Sequence, residues 1–295
     1  MNKFIMMIGL PGSGKSSFSK ELAEFYNATI FSSDELRVEM FGDVNDQKHN
    51  GELFAELHKR IKNCLRNGKN VIYDACNINY KRRMAFLSEL KNIECEKVCF
   101  IMATPVDVCL ERNKMRERKV PPNVITRMLK SFNIPYWYEG WDDIQIRYGR
   151  YVKHYGDPKN FYIGYKDFNQ NNSHHTLTLG EHCKQVSLNV GYDMDLVYAG
   201  MLHDCGKPTC ATSINKKGKY DGNYHYYDHQ YVGCYKSLFY DFEDINPIDV
   251  AVIIMWHMQP YFNKEEKTKN KYRRLWGEEL YEKIMKLHEA DVNAH

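Results

Sequence analysis

Phe4-Ile5-Met6-Met7-Ile8-Gly9-Leu10-Pro11-Gly12-Ser13-Gly14-Lys15-Ser16-Ser17 decides the reading of the first half of this chain. Five apolar residues stop at Gly9, as a short buried strand does. From Gly9 to Ser16 every fixed position of the pattern G-x-x-x-x-G-K-[ST] is filled. Phe18, Leu22 and Phe25 then recur at helical spacing. Strand, glycine-rich turn and helix together form a cradle for phosphate. The backbone of Gly9, Pro11, Gly12, Ser13 and Gly14 wraps around it with N–H groups inward, and the helix adds its positive end. Lys15 is expected on the β- and γ-phosphates, Ser16 on Mg²⁺, and Ser17 beside them in the first turn. ATP, or another nucleoside triphosphate, with Mg²⁺ is the cofactor these positions call for.

Working outward, strand-like runs at 29–32, 70–73 (closed by Asp74) and 96–103 alternate with helical patterns. Leu53, Leu57, Ile61 and Leu65 mark one helix, Val108 and Leu110 another. The alternation predicts an α/β domain, a parallel sheet with helices on both faces. After about residue 135 the pattern changes. Pro135 to Gly164 is rich in Tyr, Gly and charge without a clear period, and the junction is placed there, with domains at 1–150 and 151–295. The second domain reads as mainly α-helical, with helices at 179–190, 194–203, 229–241, 247–258 and 277–293. Lys217-Gly218 and Asp221-Gly222 predict a β-hairpin insertion over 214–227.

Composition sets the outer limits. A length of 295 residues suits two domains, and 43% hydrophobic residues suffice for two packed cores. A net charge of +3 neither demands nor excludes nucleic acid, so only local basic clusters bear on that question. No apolar run is long enough to cross a membrane, and the first residues lack the layout of a signal peptide. Nine scattered cysteines with no C-x-x-C pair read as reduced thiols of a cytoplasmic protein.

A phosphoryl acceptor needs a base beside its hydroxyl. Asp34 follows a strand, at the sheet edge where ligands bind, and Arg37 lies one helical turn further on. The pair suits an acceptor that bears both a hydroxyl and a phosphate. An N-cap aspartate with a solvated arginine fits the spacing equally well.

Four segments together resemble the phage and bacterial polynucleotide 5′-kinase family over residues 1–135. They are Gly9 to Ser17; Ser33-Asp34-Glu35-Leu36-Arg37; Asp74-Ala75-Cys76-Asn77-Ile78-Asn79-Tyr80-Lys81-Arg82-Arg83; and Arg112-Asn113-Lys114-Met115-Arg116, followed by Val120-Pro121. The resemblance implies Asp34 as general base, Arg37 on the phosphate next to the acceptor nucleotide, and Asp74 as an active-site carboxylate. It implies Arg116 as the lid arginine on the ATP phosphates, with Arg118 able to share that role. Lys81, Arg82 and Arg83 form a basic run for a nucleic-acid backbone or for solvent. Asn77 stands one position later than its counterpart in the phage enzymes.

The second domain carries an ordered set: His182, His203-Asp204, His229, His257 and Asp291. An adjacent His–Asp pair at a helix end grips a metal from two directions, and ligands from separate helices are typical of metal sites inside bundles. Imidazole and carboxylate together suit Mn²⁺, Fe²⁺, Co²⁺, Ni²⁺ or Zn²⁺. The set resembles the HD phosphohydrolase superfamily, H…HD…D. That resemblance implies His182, His203, Asp204 and Asp291 as primary ligands, His229 and His257 as those of a second metal, and Lys207 on substrate phosphate. His175 and His225 are weaker candidates. Asp193-Met194-Asp195 mimics the D-x-D of another phosphatase class but follows a helix, so it is read as a helix-start cap.

The expectation is a bifunctional end-healing enzyme acting on RNA or DNA ends. It would phosphorylate 5′-hydroxyls and remove 2′-, 3′- or cyclic phosphate. The chain is read as lacking a ligase motif of the K-x-D-G type, so a ligase would be a separate partner. Two alternatives stay open: a small-molecule kinase fused to a nucleotidase, and an ATP-gated nucleotide phosphohydrolase.

Overall fold

The computed structural model describes residues 1–149, 154–172, 176–262 and 265–294. Two compact units emerge, Met1–Met128 with Pro135–Val152, and Leu129–Ile134 with Lys153–His295.

The first unit runs β1 (Lys3–Ile8), α1 (Lys15–Tyr26), β2 (Ala28–Ser32), α2 (Ser33–Phe41), α3 (Asn50–Arg66), β3 (Asn70–Asp74), α4 (Tyr80–Glu89), β4 (Glu96–Ala103), α5 (Val106–Lys114), α6 (Pro122–Leu129) and β5 (Asp143–Tyr148). The five strands are parallel in the order β2-β3-β1-β4-β5. Side chains alternate across β1, so each face receives its own helices. Ile5 and Met7 join Ile72, Val98, Phe100 and Met102 under Phe18 and Leu22 of α1. Phe4 turns the other way, onto Phe86 of α4, which also meets Tyr73 of β3 and His58 of α3. Strand β5 lies in the stretch that showed no period. It is an edge strand, half exposed, so its alternation is weak.

The second unit is mainly helical: α7 (Lys159–Gly164), α8 (Leu179–Asn189), α9 (Met194–Leu202), α10 (Lys207–Cys210), the antiparallel pair β6 (Thr212–Ile214) and β7 (Tyr220–His225), α11 (His229–Ser237), α12 (Pro247–Trp256), α13 (Gln259–Phe262), α14 (Glu266–Trp276) and α15 (Glu278–Val292). Helix α12 is apolar on all sides and packs against α9, α11 and α15. Asp193 caps α9, accepting from the N–H groups of Asp195 and Leu196 at 3.1 and 3.4 Å, so its D-x-D spelling serves a helix start. Among the described residues no helix is long and apolar enough to cross a membrane. All nine cysteines are free thiols.

Candidate functional sites

The glycine-rich turn leaves β1, the middle strand, at its C-terminal end. Gly12 and Gly14 hold φ of 82° and 94°, a region that other residues avoid. At Gly12 a Cβ would also lie 2.4 Å from the carbonyl oxygen of Cys109. Nothing caps the start of α1 with a side chain, and no acidic residue occupies its first turn. Its opening N–H groups and its dipole therefore face an anion unchallenged. Lys15 is buried, with Nζ 2.8 Å from the Leu10 carbonyl and 3.1 Å from that of Gly9, while Ser16 and Ser17 are exposed in the first turn. An inward lysine, open amides and an exposed hydroxyl fit a nucleotide phosphate with its Mg²⁺.

Asp34 and Asp74 lie at the C-terminal ends of neighbouring strands, with Ser32 of β2 in register with Asp74 of β3. Ser32, not Asp34, caps α2, accepting from Glu35 N–H at 3.3 Å. The Asp34 carboxylate is thus spared from capping and pairs with Arg118. Arg37 is not a solvated side chain: it is 4% exposed and donates to the Asp46 carbonyl and, at 2.8 Å, to Asn50 Oδ1. Burial, then the nearby Arg118, lowers its pKa below the ordinary value. Asp74 is likewise buried. Arg116 and Arg118 sit in a segment closed at its base by Asn113, whose amide donates to the Val120 carbonyl at 2.7 Å and accepts from the Val120 N–H at 3.0 Å.

The basic run 81–83 divides. Lys81 and Arg82 are exposed, but Arg83 is 1% exposed in a bidentate pair with Glu139, at 2.7 and 2.6 Å. Trp141 Nε1 donates to the same carboxylate at 3.1 Å. Arg83 is therefore an internal brace and is removed from the nucleic-acid contacts the run suggested. Asn77 is a brace too: its amide donates to the Met7 carbonyl at 2.9 Å, and its own carbonyl accepts from Arg83.

In the helical unit, chain positions more than a hundred residues apart converge. His203 follows α9, His257 follows α12 and His229 opens α11. In each, Nδ1 meets the carbonyl three residues earlier: Gly200 at 2.9 Å, Ile254 at 2.7 Å and Tyr226 at 2.7 Å. His182 Nδ1 lies 3.0 Å from the Ala294 carbonyl. A carbonyl only accepts, so each Nδ1 is the donor and Nε2 is the ring nitrogen turned toward the other histidines. Close packing makes the convergence geometrically feasible. A Cβ at Gly200 would stand 2.8 Å from Ser187 Cα, and one at Gly206 would stand 2.0 Å from the His229 carbonyl.

The Nε2 atoms of His182 and His203 are 3.2 Å apart, as are those of His229 and His257. Asp291 Oδ1 is 3.0 Å from His182 Nε2. Asp204 stands between the pairs, with Oδ2 3.4 Å from His203 Nε2 and Oδ1 3.1 Å from His229 Nε2. Ligands about 2.1 Å from one ion at tetrahedral or octahedral angles lie roughly 3.0–3.4 Å from each other. The pairs above have that spacing, while His182–Asp204, His203–Asp291 and His257–Asp204 are wider at 3.6, 3.7 and 3.9 Å, and the groups make two candidate ligand triads sharing Asp204. Burial opposes charge on His203, yet Asp204 and Asp291 outweigh it and push its pKa up to about 10. His257, buried beside two imidazoles, is pushed down to about 3. Burial also opposes charge on Asp204, but Lys207 and His203 hold its carboxyl well below the usual range.

Lys207 Nζ is 2.6 Å from Asp204 Oδ2 and 2.7 Å from Oε1 of the buried Gln170. Tyr261 donates to Asp291 Oδ2 at 2.8 Å. Sequence reasoning missed Gln170 and Tyr261, because neither belongs to a motif. His225 stands apart, paired with Asp221 on the β6–β7 ribbon, and His175 lies outside the described residues. Lys219-Tyr220-Asp221-Gly222 does spell K-x-D-G, which corrects the reading that no such tetrapeptide is present. All four residues are exposed on a two-stranded ribbon, so Lys219 has none of the enclosing pocket that a nucleotidyl-accepting lysine requires.

Residues 4–135 match the AAA domain family AAA_33. A curated relative, the L-seryl-tRNA(Sec) kinase of Methanococcus maripaludis, is 30% identical over 142 residues, which is 47% of this chain and 55% of the relative. The chain thus spans about half the length of that relative. Among solved structures, a kinase from Chloroflexus aurantiacus aligns with 17% identity and a TM-score of 0.43, over 51% of this chain and 86% of its own. A chain of the Pnkp1/Rnl/Hen1 RNA repair complex aligns with 20% identity and a TM-score of 0.37, over 43% of this chain and 42% of its own. The N-terminal half of the chain carries a P-loop and is similar to domains of kinase type.

Proposed function

We propose that this chain heals nucleic-acid ends, with a 5′-hydroxyl kinase in the first unit and an HD-type, two-metal phosphohydrolase in the second. One observation supports the pairing most directly: two His/Asp ligand triads, bridged by Asp204, occur in the same chain as an intact P-loop.

On the kinase side, the amides of the glycine-rich turn and the start of α1 bind the nucleotide phosphates, and Lys15 neutralises charge at the transferred group. Ser16 holds Mg²⁺. Asp34 takes the proton from the acceptor hydroxyl, with Arg118 holding its carboxylate in place until substrate arrives. Arg37, held by Asp46 and Asn50, meets the neighbouring phosphate of the acceptor strand, and Asp74 orients the acceptor. Arg116, at the tip of the Asn113–Val120 segment, closes on the triphosphate. The archaeal relative is named for phosphorylating a residue carried on tRNA, which favours a hydroxyl on or attached to nucleic acid.

On the hydrolase side, His182, His203, Asp204 and Asp291 would hold one metal, and His229, His257 and Asp204 a second. A metal pair from the set Mn²⁺, Fe²⁺, Co²⁺, Ni²⁺ and Zn²⁺ supplies Lewis acidity toward phosphate oxygens and water. Lys207 orients Asp204 and offers a positive charge to the phosphate. Gln170 fixes that lysine in turn.

The test is one gel. RNA bearing a 5′-hydroxyl and a 2′,3′-cyclic phosphate is incubated with the protein, γ-labelled ATP, Mg²⁺, and Mn²⁺ or Ni²⁺. Label at the 5′ end with loss of the terminal phosphate is the expected result. Labelling of free nucleosides alone would move the kinase to small molecules. Retention of the cyclic phosphate with every metal would sink the hydrolase assignment.

A further inference from the structure

A cavity of about 550 Å³, within the range of small-ligand sites, opens beside the His/Asp cluster. Its walls include Tyr261, Lys269, Trp276, Tyr281, Met285 and His288. Tyr261 belongs to both places, since its hydroxyl donates to Asp291. Two of the wall residues carry a shielded nitrogen, Trp276 Nε1 and His288 Nδ1, that has no hydrogen-bond partner among the described residues. Trp276 itself is only 5% exposed. Buried donors are rarely left unpaired, and an indole nitrogen can only donate. Lys269, whose Nζ lies 3.8 Å from Glu266, adds another donor, and among the described residues no carboxylate lines the space. Aromatic walls bearing donors match a flat heterocycle whose edge carries acceptors.

Helix α14 adds a second, independent observation. It carries Lys267, Lys269, Lys271, Arg273 and Arg274 against one acidic residue, Glu266. Arg273 lies 4.6 Å over the Tyr281 ring and pairs with Glu278. Lys267, Lys271 and Arg274 are exposed, and Phe262, 71% exposed, adjoins Tyr261. A free nucleotide would fill the cavity but leave these cations without a role.

We propose that the cavity takes the terminal nucleobase of a nucleic-acid strand whose end phosphate lies at the His/Asp cluster, and that the strand's backbone leaves along α14. This rests on the phosphohydrolase reading of the cluster, and the test separates the two. Fluorescence anisotropy on the full chain would use a 5′-fluorescein hexanucleotide ending in a 3′-phosphorothioate, beside the same probe with an abasic terminal sugar. Removing the base should weaken binding by about tenfold, the scale of one stacked base. Trp276→Phe and His288→Leu should each weaken the intact probe and make little further difference to the abasic one. Lys271→Glu with Arg274→Glu, both on the surface and harmless to folding, should weaken both probes by about tenfold and flatten the salt dependence. Equal binding of intact and abasic probes by the wild-type protein would overturn the nucleobase assignment. A 3′-mononucleotide that competes as well as the hexanucleotide would overturn the backbone path. Failure to release 3′-phosphate with any metal would overturn the hydrolase reading, and the abasic comparison would still decide the cavity.

Discussion

The two units build their sites in opposite ways. In the P-loop unit one unbroken stretch, Gly9 to Ser16, makes the phosphate cradle almost entirely from backbone. In the helical unit no stretch longer than His203-Asp204 is contiguous, and the site is made of side chains from five places in the chain. The first kind of site is written in one motif and depends on local φ angles. The second exists only when helices pack at the right distance, so its chemistry and its tertiary structure stand or fall together.

That contrast breaks most sharply at Asp204. Asp204→Ala removes the shared ligand of both triads, and phosphate release should fall on the order of 10⁴-fold, as when one member of an interdependent set is lost. Metal content by mass spectrometry should drop with it, while ATP binding stays. Loss of ATP binding as well would show that the two sites are not independent. Next in size is Arg83→Ala, which leaves the buried Glu139 without its arginine partner. It should cost about 3–5 kcal/mol in thermal or urea unfolding of the P-loop unit, although Arg83 touches neither site. Lys15→Ala should lower phosphoryl transfer by about 10²–10³-fold and leave bound metal unchanged. Tyr261→Phe deletes one hydrogen bond to Asp291, and metal affinity should fall by about tenfold in a chelator competition.

The smallest effect concerns pH. Burial, partly offset by Glu89, holds His58 below its ordinary value. The unfolded chain, near 6.5, therefore takes a proton that the folded one resists. Stability from neutral His58 is complete above about pH 6.5 and is lost as pH falls toward the lower folded value. His58→Gln should flatten that acid limb of the unfolding curve. An unchanged slope would assign the acid sensitivity elsewhere.

How legible each region was follows from the same contrast. The alternation of strands and helices across residues 4–135 was plain, because each element is periodic and the motif fixes its register. Strand β5 and helix α14 were missed for physical reasons: β5 is a half-exposed edge, and α14 is polar on nearly every side. Asp34 and Arg37 could not be separated from a cap and a solvated cation by spacing. Only the Ser32 cap and the burial of Arg37 distinguish them. The histidines were visible as an ordered set, but Gln170, Tyr261 and the Arg83–Glu139 brace depend on contacts 30 to 56 positions apart that no local pattern encodes.

The histidine–carbonyl triplets bear on how such a protein can change. Each of His203, His229 and His257 is tied to a carbonyl at its own helix end, so moving one ligand means moving a helix. The cavity wall beside them comes from α13, α14 and α15, where side chains other than Tyr261, which bonds Asp291, can be exchanged without touching these three imidazoles. Under the proposed function, recognition and ion retention would then meet at Tyr261 and otherwise draw on different side chains. New substrates can be explored by repapering one wall, while the hearth stays fixed.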